Sequence, residues 1–365
     1  MQARRFFTAP TLGALQRLRR FELERNPLWW TPGVEHLCAS DVEPMDVASL
    51  LELDNVAKGT ITKLTKLSLG YPDSQGSEEL RSAIANIYGQ HVGAEHVTVC
   101  APQEGILLSM LAMLKPSDVV VAVTPSYQSL YEISRSIGCE IRPWQVSWDN
   151  GSARFDPDLL PPLLDGASVL VTNFPHNPTG ALPTTSEWQT IGDLCSEYGV
   201  RIFSDEMYQG LESSPDLQLA SAVELGQQPC GGSSRHVSLS GLSKWAAMPG
   251  LRVGWVVSQD LDLVAAINEL KDYVSICPPA PSEFLAQLAL RHRGPVLARS
   301  RKLCAEGRDA VRSFCLQHDE WIEWIEPRGS STCFPKLKHE ASASEWCNEL
   351  ANDDRTRSVA LQTHP

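Results

Sequence analysis

The sequence has few basic side chains for its length, no long apolar run and no internal repeat. Its 31 Lys and Arg are outnumbered by 44 Asp and Glu, which gives a formal net charge of -13. Nucleic acid binding needs a broad basic face, so this balance argues against nucleic acid as a main partner. No stretch reaches the about 18 consecutive apolar residues of a membrane-spanning helix. We therefore expect neither a nucleic acid nor a membrane partner.

Paired cysteine motifs are also lacking. The ten cysteines form no CxxC pair and have no short spacing to histidine, so neither a zinc site nor a disulfide framework is indicated. Reduced thiols are typical of the cytoplasm. The basic opening residues are soon followed by Glu22 and Glu24, which disfavours an organelle transit peptide. We expect a cytoplasmic protein without a metal site.

Strand-like and helix-like segments alternate through the middle of the chain. Helices are predicted at 45–53, 78–88, 105–114, 130–137 and 186–198. Strands are predicted at 97–100, 119–123, 140–146, 168–172, 200–203, 237–239 and 253–257. This α/β pattern predicts a seven-stranded, mainly parallel sheet with helices on both faces. Ligands of such sheets bind beyond the carboxyl ends of the strands.

The pattern changes after residue 277. Long helices are predicted at 283–291 and 296–318, interrupted at Gly294-Pro295, and strand character returns at 321–337. We expect residues 46–277 to form the large domain. The C-terminal part, 278–365, and an N-terminal arm, 1–45, would form a smaller α+β domain. The arm contains one helical pattern, from 12 to 23.

The stretch from 235 to 255 holds a candidate nucleophile. A short apolar run ends in a turn that presents Ser240, Ser243 and Lys244, and a Pro-Gly break leads to Arg252 and a second apolar run. A lysine among hydroxyls, with an arginine nearby, suits an amine that forms a Schiff base close to a bound phosphate. A surface lysine before an ordinary turn is the alternative for this stretch taken alone.

Other strand ends carry polar groups as well. Asn177 lies in a proline-bounded turn after the strand at 168–172, and Asp205 and Tyr208 follow the strand at 200–203. A buried carboxylate needs a cation or a proton donor nearby. Tyr127 follows the strand at 119–123. These groups are expected to meet Lys244 at one edge of the sheet.

Together these motifs resemble the fold-type-I pyridoxal-phosphate enzymes, specifically the class I/II aminotransferase family, over roughly residues 70 to 340. The resemblance implies that Lys244 bonds the cofactor covalently and later moves a proton. It implies that Asp205 pairs with the pyridinium nitrogen, and that Tyr208 and Asn177 hold the phenolic oxygen of the ring. Lys244 would need a lowered pKa to attack as a free amine.

The resemblance also implies roles for five further residues. Arg252 would anchor the phosphate, helped by the hydroxyls of Ser240 and Ser243, although these two serines can instead shape the turn. Tyr127 would stack on the cofactor ring, with a plain core position as the alternative. Tyr71 would reach the phosphate in a neighbouring subunit, which predicts a homodimer; otherwise it is an ordinary loop residue.

Two features depart from the family pattern. The turn that usually offers backbone amides to the phosphate contains Pro102, which has no N–H, so the amides of Gln103 and Glu104 remain. Family members also continue beyond the predicted strand at 358–362 to an arginine that binds the substrate carboxylate. Arg355 and Arg357 precede that strand and are poor substitutes.

Two explanations of this C-terminal difference stay open. Either the chain is truncated and processes free amino acids poorly, or Asn177 and the N-terminal arm near Ser40 hold the carboxylate. The predicted function is transamination of an amino acid to its keto acid. A pyridoxal-phosphate-dependent lyase or cyclase is one alternative, and a non-catalytic protein that binds the cofactor is another. The sequence does not identify the amino acid.

Overall fold

The computed structural model describes residues 17–21, 24–25, 37, 39–54, 57–149, 151–225, 234–338 and 342–352. Its helices are α1 (Val47–Glu52), α2 (Ala57–Thr65), α3 (Glu78–Ala85), α4 (Pro102–Met113), α5 (Ser129–Ile137), α6 (Pro161–Leu164), α7 (Thr185–Glu197), α8 (Leu261–Lys271), α9 (Ala280–Arg291), α10 (Arg293–Gln317) and α11 (Ala343–Asn352). Its strands are β1 (Val97–Cys100), β2 (Val119–Thr124), β3 (Glu140–Gln145), β4 (Ser147–Asp149), β5 (Ser152–Arg154), β6 (Val169–Asn173), β7 (Arg201–Asp205), β8 (Val237–Gly241), β9 (Gly254–Val257), β10 (Ile322–Glu323) and β11 (Lys336–Leu337).

The main sheet has seven strands in the order β1-β9-β8-β7-β6-β2-β3. β9 runs antiparallel to β1 and β8, and the other pairs are parallel. All seven predicted strands lie in this sheet, so the predicted mainly parallel architecture is confirmed. Parallel strands buried on both faces favour the continuous Val-rich and Ile-rich runs from which they were predicted.

Helices cover both faces of this sheet. Successive side chains of a strand point to opposite faces, so Val120 of β2 packs with α4, α5 and α8, while Val121 packs in the cluster that contains α7. A third cluster joins α3 and α9 to β1 and β9. None of the described helices is long and apolar enough to cross a lipid bilayer.

The predicted break at Gly294-Pro295 is wrong. α10 begins at Arg293 and runs through both residues, and the break after α9 falls at His292. Pro295 is tolerated because the first N–H groups of a helix have no partner within it. Of the helix predicted at 12–23, residues 18–21 have no regular structure, and most of the rest lies outside the described residues.

Gly105 lets α4 lie close to the centre of the sheet. A Cβ atom at this position would lie 2.6 Å from Leu239 Cδ1 and 3.1 Å from both Cys100 Sγ and Val256 Cγ2. All three neighbours are buried, so they have little room to move. The missing side chain therefore sets the distance between α4 and the strands that end at the predicted site.

We expect Gly105→Ala to destabilise the protein by about 1 to 3 kcal/mol, because overpacking displaces core side chains. Urea unfolding measures the effect. Gly307→Ala is the matched control, since Gly307 lies in α10 with no atom near its would-be Cβ. Alanine there should stabilise the helix by about 0.5 to 1 kcal/mol. A Gly105→Ala variant as stable as the native protein would show that α4 is not held by close packing.

Candidate active site

Lys244 lies in the turn after β8, at the carboxyl edge of the sheet. Its Nζ donates a hydrogen bond of 2.8 Å to Ser40 Oγ and forms an ion pair with Asp41. The same atom lies 5.7 Å from the centroid of the Tyr208 ring. Only 17% of the Lys244 side chain is exposed. The structure therefore excludes a freely solvated surface lysine.

The charges around Lys244 hold it as an ammonium group when no cofactor is bound. Burial lowers the pKa of Lys244, but Tyr208, Asp41 and Asp205 together outweigh that effect and raise it. This direction is opposite to the lowered pKa expected from the sequence. Tyr208 is the largest of the raising influences, and Asp41 adds a counter-ion that the motifs did not reveal.

Asp205 is the last residue of β7 and is buried. Its Oδ1 accepts a hydrogen bond of 3.1 Å from the Met207 N–H. Burial raises the pKa of Asp205 to about 6, although the Met207 N–H and Lys244 act against the increase. The Asp205 carboxyl therefore holds its proton more strongly than an exposed aspartate does and can share it with a nearby base.

Asn177 and Tyr208 form a buried pair. Asn177 Nδ2 donates a hydrogen bond of 3.2 Å to the Tyr208 hydroxyl. The Asn177 N–H donates in turn to Asn173 Oδ1 at 2.8 Å, which fixes the turn after β6. Burial raises the pKa of Tyr208, so the phenol keeps its proton. The predicted partners of the cofactor's phenolic oxygen are therefore adjacent.

The two predicted hydroxyl groups differ in their hydrogen bonds. Ser240 Oγ donates a long hydrogen bond of 3.5 Å to the Glu206 carbonyl. Ser243 Oγ is buried and makes no hydrogen bond within the described part of the chain. A buried hydroxyl without a partner is unfavourable. Ser243 can therefore donate to an anionic group bound at this edge, and Ser240 can do so once its long hydrogen bond to Glu206 is released.

At the start of α4, Gln103 and Glu104 have other partners. Gln103 Nε2 donates to Ser129 Oγ at 2.7 Å, while Glu104 Oε2 accepts from the Ala101 N–H at 3.2 Å. Glu104 therefore caps its own helix, which leaves the amides of the first turn for an anion.

Tyr127 is covered by the N-terminal arm. Its ring centroid lies 5.3 Å from that of Phe21, with an angle of 52° between the planes. Burial raises the pKa of Tyr127, and nearby Glu24, Asp205 and Tyr208 raise it further. The arm therefore lies on the same side of the sheet as the lysine site.

Arg252 and Tyr71 are not brought to Lys244 within the described chain. Arg252 is exposed, and its guanidinium donates to the Pro249 carbonyl at 2.8 Å. Its backbone is left-handed, with φ of 55°. Tyr71 is 88% exposed. The predicted contributions of these two residues to phosphate binding stay predictions. So does the explanation of the C-terminal difference, because Arg355, Arg357 and the predicted strand at 358–362 lie outside the described residues.

The motifs did not reveal Asp41 or the role of Glu206. Glu206 accepts hydrogen bonds from Ser221 Oγ at 2.8 Å, Ser238 Oγ at 3.0 Å and the Ala222 N–H at 2.8 Å. Burial raises the pKa of Glu206 to about 7. This network fixes the segment beside Asp205 to β8. Its only sequence signal was a second acid next to Asp205.

Comparison with known proteins identifies the family. The model of aminotransferase class I and II matches residues 37–356. The chain belongs to this family. It is 29% identical to capreomycidine synthase of Streptomyces vinaceus, over 86% of the chain and 78% of that protein. It is 28% identical to arginine–pyruvate transaminase of Pseudomonas aeruginosa, over 75% of the chain and 69% of that protein.

A solved structure agrees. The PLP-dependent aminotransferase from Streptococcus suis is 25% identical, with a TM-score of 0.84 over 94% of this chain and 88% of that one. These matches confirm the predicted resemblance and fold. The chain is therefore a member of the pyridoxal-phosphate-dependent aminotransferase family.

The residues at the sheet edge fit this cofactor. The buried Asp205 carboxyl can pair with a ring nitrogen, and the Asn177–Tyr208 pair offers donors to a ring oxygen. The unpartnered Ser243 hydroxyl suits a phosphate oxygen. Lys244 supplies the amine that bonds an aldehyde carbon. One site therefore contains a partner for the ring nitrogen, the ring oxygen, the phosphate and the aldehyde carbon of the cofactor.

The raised pKa of Asp205 predicts a pH-dependent stability for the cofactor-free protein. Its pKa rises from 3.8 to about 6 on folding, so the folded state keeps this proton longer than the unfolded state. The contribution to stability is therefore greatest below pH about 4 and falls as the pH rises to about 6, by at most about 1.4 kcal/mol per pH unit.

We expect Asp205→Asn to reduce the change in the free energy of unfolding between pH about 4 and about 6. Urea unfolding of the cofactor-free protein at several pH values measures it. Asp216→Asn is the control, because the Ser214 hydroxyl lowers the pKa of the exposed Asp216 and its contribution lies at lower pH. An unchanged slope in the Asp205 variant would mean that the native carboxyl is already ionised at low pH.

Proposed function

We propose that this chain transfers an amino group from a free α-amino acid to a keto acid, with Lys244 as the catalytic amine. The placement of Lys244 beside Tyr208, at the same sheet edge as buried Asp205, supports the proposal most directly. Family membership supports the reaction type.

Each side chain has a separate task in this proposal. The bound cofactor supplies an aldehyde carbon that bonds amines and an aromatic ring that takes up electrons from the substrate. Asp205 holds a proton at the ring nitrogen, and its burial strengthens that interaction. Tyr208 and Asn177 donate hydrogen bonds to the ring oxygen. Lys244 would accept the proton of the substrate α-carbon and return it.

Ser240, Ser243 and the first-turn amides of Gln103 and Glu104 would hold the phosphate. The helix dipole of α4 favours an anion at this end. Arg252 would join them only after its side chain leaves the Pro249 carbonyl. Tyr127 would cover one face of the ring. Ser40, which already contacts Lys244 Nζ, lies where the substrate must approach.

A cyclase is the second candidate. The similarity to a solved PLP-dependent cyclase, at 25% identity and a TM-score of 0.78 over 90% of this chain and 85% of that one, favours this reading. The same lysine and ring chemistry serve both reactions. The non-catalytic alternative has no comparable support.

The proposed domain division follows the predicted boundaries. Residues 46–277 would form the large domain, and 278–365 with the arm, 1–45, the smaller one. A cytoplasmic location is also proposed, because the sequence contains no CxxC pair and reduced thiols are typical of that compartment.

Lys244→Ala should abolish borohydride-reducible attachment of pyridoxal phosphate and slow amino transfer by at least about a hundredfold. Non-covalent binding of the cofactor should persist through the groups around Asp205 and Ser243. Mass spectrometry measures attachment, and keto-acid-dependent formation of a new amino acid measures transfer. Lys302→Ala, at an exposed lysine of α10, is the control.

Covalent attachment that survives in the Lys244 variant would assign the bond to another lysine. In the native protein, a cyclised product formed without a keto acid would favour the second candidate.

Large exposed side chains on two loops that are hydrogen-bonded to Lys271 support the proposed homodimer. Leu69, Tyr71 and Tyr273 are 81%, 88% and 92% exposed. Their two loops are tied together, because buried Lys271 Nζ donates to the Ser74 carbonyl at 2.7 Å and to the Ile276 carbonyl at 3.0 Å. Exposed aromatic and aliphatic groups of this kind favour protein contacts.

Tyr273→Asp should shift the protein from dimer to monomer in light scattering, because a charge would be buried at the proposed interface. Leu316→Asp is the control, since Leu316 is also exposed but lies on α10. A native protein that is active as a monomer would contradict the homodimer and the shared role of Tyr71.

A further inference from the structure

The Asp41 carboxylate lies inside the active site without an assigned task. It forms an ion pair with Lys244 Nζ, and its side chain is 40% exposed. It is also close enough to Tyr208 to affect that phenol electrostatically. None of the roles given above to the cofactor-holding residues requires a carboxylate here.

Asp41 is held in place by its own segment. The Ser40 carbonyl accepts from Ser331 Oγ at 2.6 Å, and the Glu43 carbonyl accepts from Arg299 Nη1 at 2.8 Å. The Met45 N–H donates to the Ala247 carbonyl at 2.9 Å. These contacts on both sides of Asp41 fix the backbone of its segment. The Asp41 carboxylate is therefore held at a defined position beside Lys244.

The ion pair between Asp41 and Lys244 can form only while the Lys244 amine is not bonded to the cofactor. When Lys244 bonds the cofactor, its Nζ is no longer an ammonium with three donors for Asp41. Among the described residues, Lys244 is the single cation paired with Asp41. The Asp41 side chain is 40% exposed, so its carboxylate stays partly solvated when it loses this ion pair and is then available to pair with another cation.

We propose that Asp41 binds the cationic side chain, an ammonium or guanidinium group, of a basic α-amino acid substrate. The inference rests on the proposed amino transfer at Lys244. The α-amino group is a poor lasting partner for Asp41, because it must lose its proton to bond the cofactor carbon. A side-chain cation keeps its charge throughout and can donate a charge-assisted hydrogen bond to the Asp41 carboxylate. The same carboxylate disfavours acidic side chains.

The first test compares kcat/KM of the cofactor-loaded enzyme for arginine, lysine, norleucine and glutamate. Asp41→Asn should lower the preference for lysine over norleucine by about ten- to a hundredfold. Any change in Lys244 reactivity affects both substrates, so the ratio isolates side-chain recognition. Glu43→Gln is the matched control, because it removes an equal exposed charge two positions away and should leave the ratio unchanged. An equal loss for lysine and norleucine in Asp41→Asn would overturn the proposal.

The second test needs no turnover. 5-Guanidinopentanoate is arginine without its α-amino group, and hexanoate is a neutral-chain counterpart of similar length. Calorimetry with the loaded protein should show tighter binding of the guanidino compound, and Asp41→Asn should remove the difference. Equal binding of the two compounds by the native protein would overturn the proposal. Discrimination that persists without amino transfer to any keto acid would support the Asp41 site and count against the proposed function.

Discussion

The pairing of β7 with β8 determines most of the site. These parallel strands place Asp205 opposite Leu239, two residues from the end of β8. The chain then turns and presents Lys244 at the same edge as the buried carboxyl. A lysine and an aspartate 39 positions apart can share one low-dielectric site because the backbone hydrogen bonds of two strands hold them in register. The hydrogen bonds of Glu206 with Ser221 and Ser238 also hold the end of β7 against β8.

The backbones of β8 and β9 lie unusually close together next to this site. A Cβ on Gly241 would lie 2.8 Å from Gly254 Cα, and one on Gly254 would lie 2.7 Å from the Ser240 carbonyl oxygen. Because these contacts are with backbone, a side chain there would push β8 and β9 apart. The position of Ser240, and of the turn that carries Lys244, therefore depends on small residues with no chemical role of their own.

Sequence patterns predicted the sheet well because each buried strand is a short apolar run between turn residues. The patterns and the family resemblance also named Lys244, Asp205, Asn177 and Tyr208, because Asp205 ends a strand and the other three lie within four residues after one. The roles of these residues stay predictions. The patterns missed Asp41, whose contact with Lys244 joins positions 203 residues apart. They also misplaced the break before α10, since a proline in a first helical turn looks like a helix breaker in sequence. Side-chain partners, such as the Pro249 carbonyl that holds Arg252, depend on local conformation that residue spacing does not encode.

The site divides its tasks between two parts of the chain. Groups that suit the cofactor follow the strands of the sheet, where backbone pairing fixes their positions. The groups that would meet the substrate in our proposal come from the N-terminal arm, which contributes Ser40 and Asp41 beside Lys244 and Phe21 beside Tyr127. Such an arrangement allows the arm to change charge and shape while the sheet keeps the chemistry constant. Substrate choice in this protein is therefore expected to vary with the arm, and Asp41 is the arm residue whose charge interacts most directly with the catalytic amine.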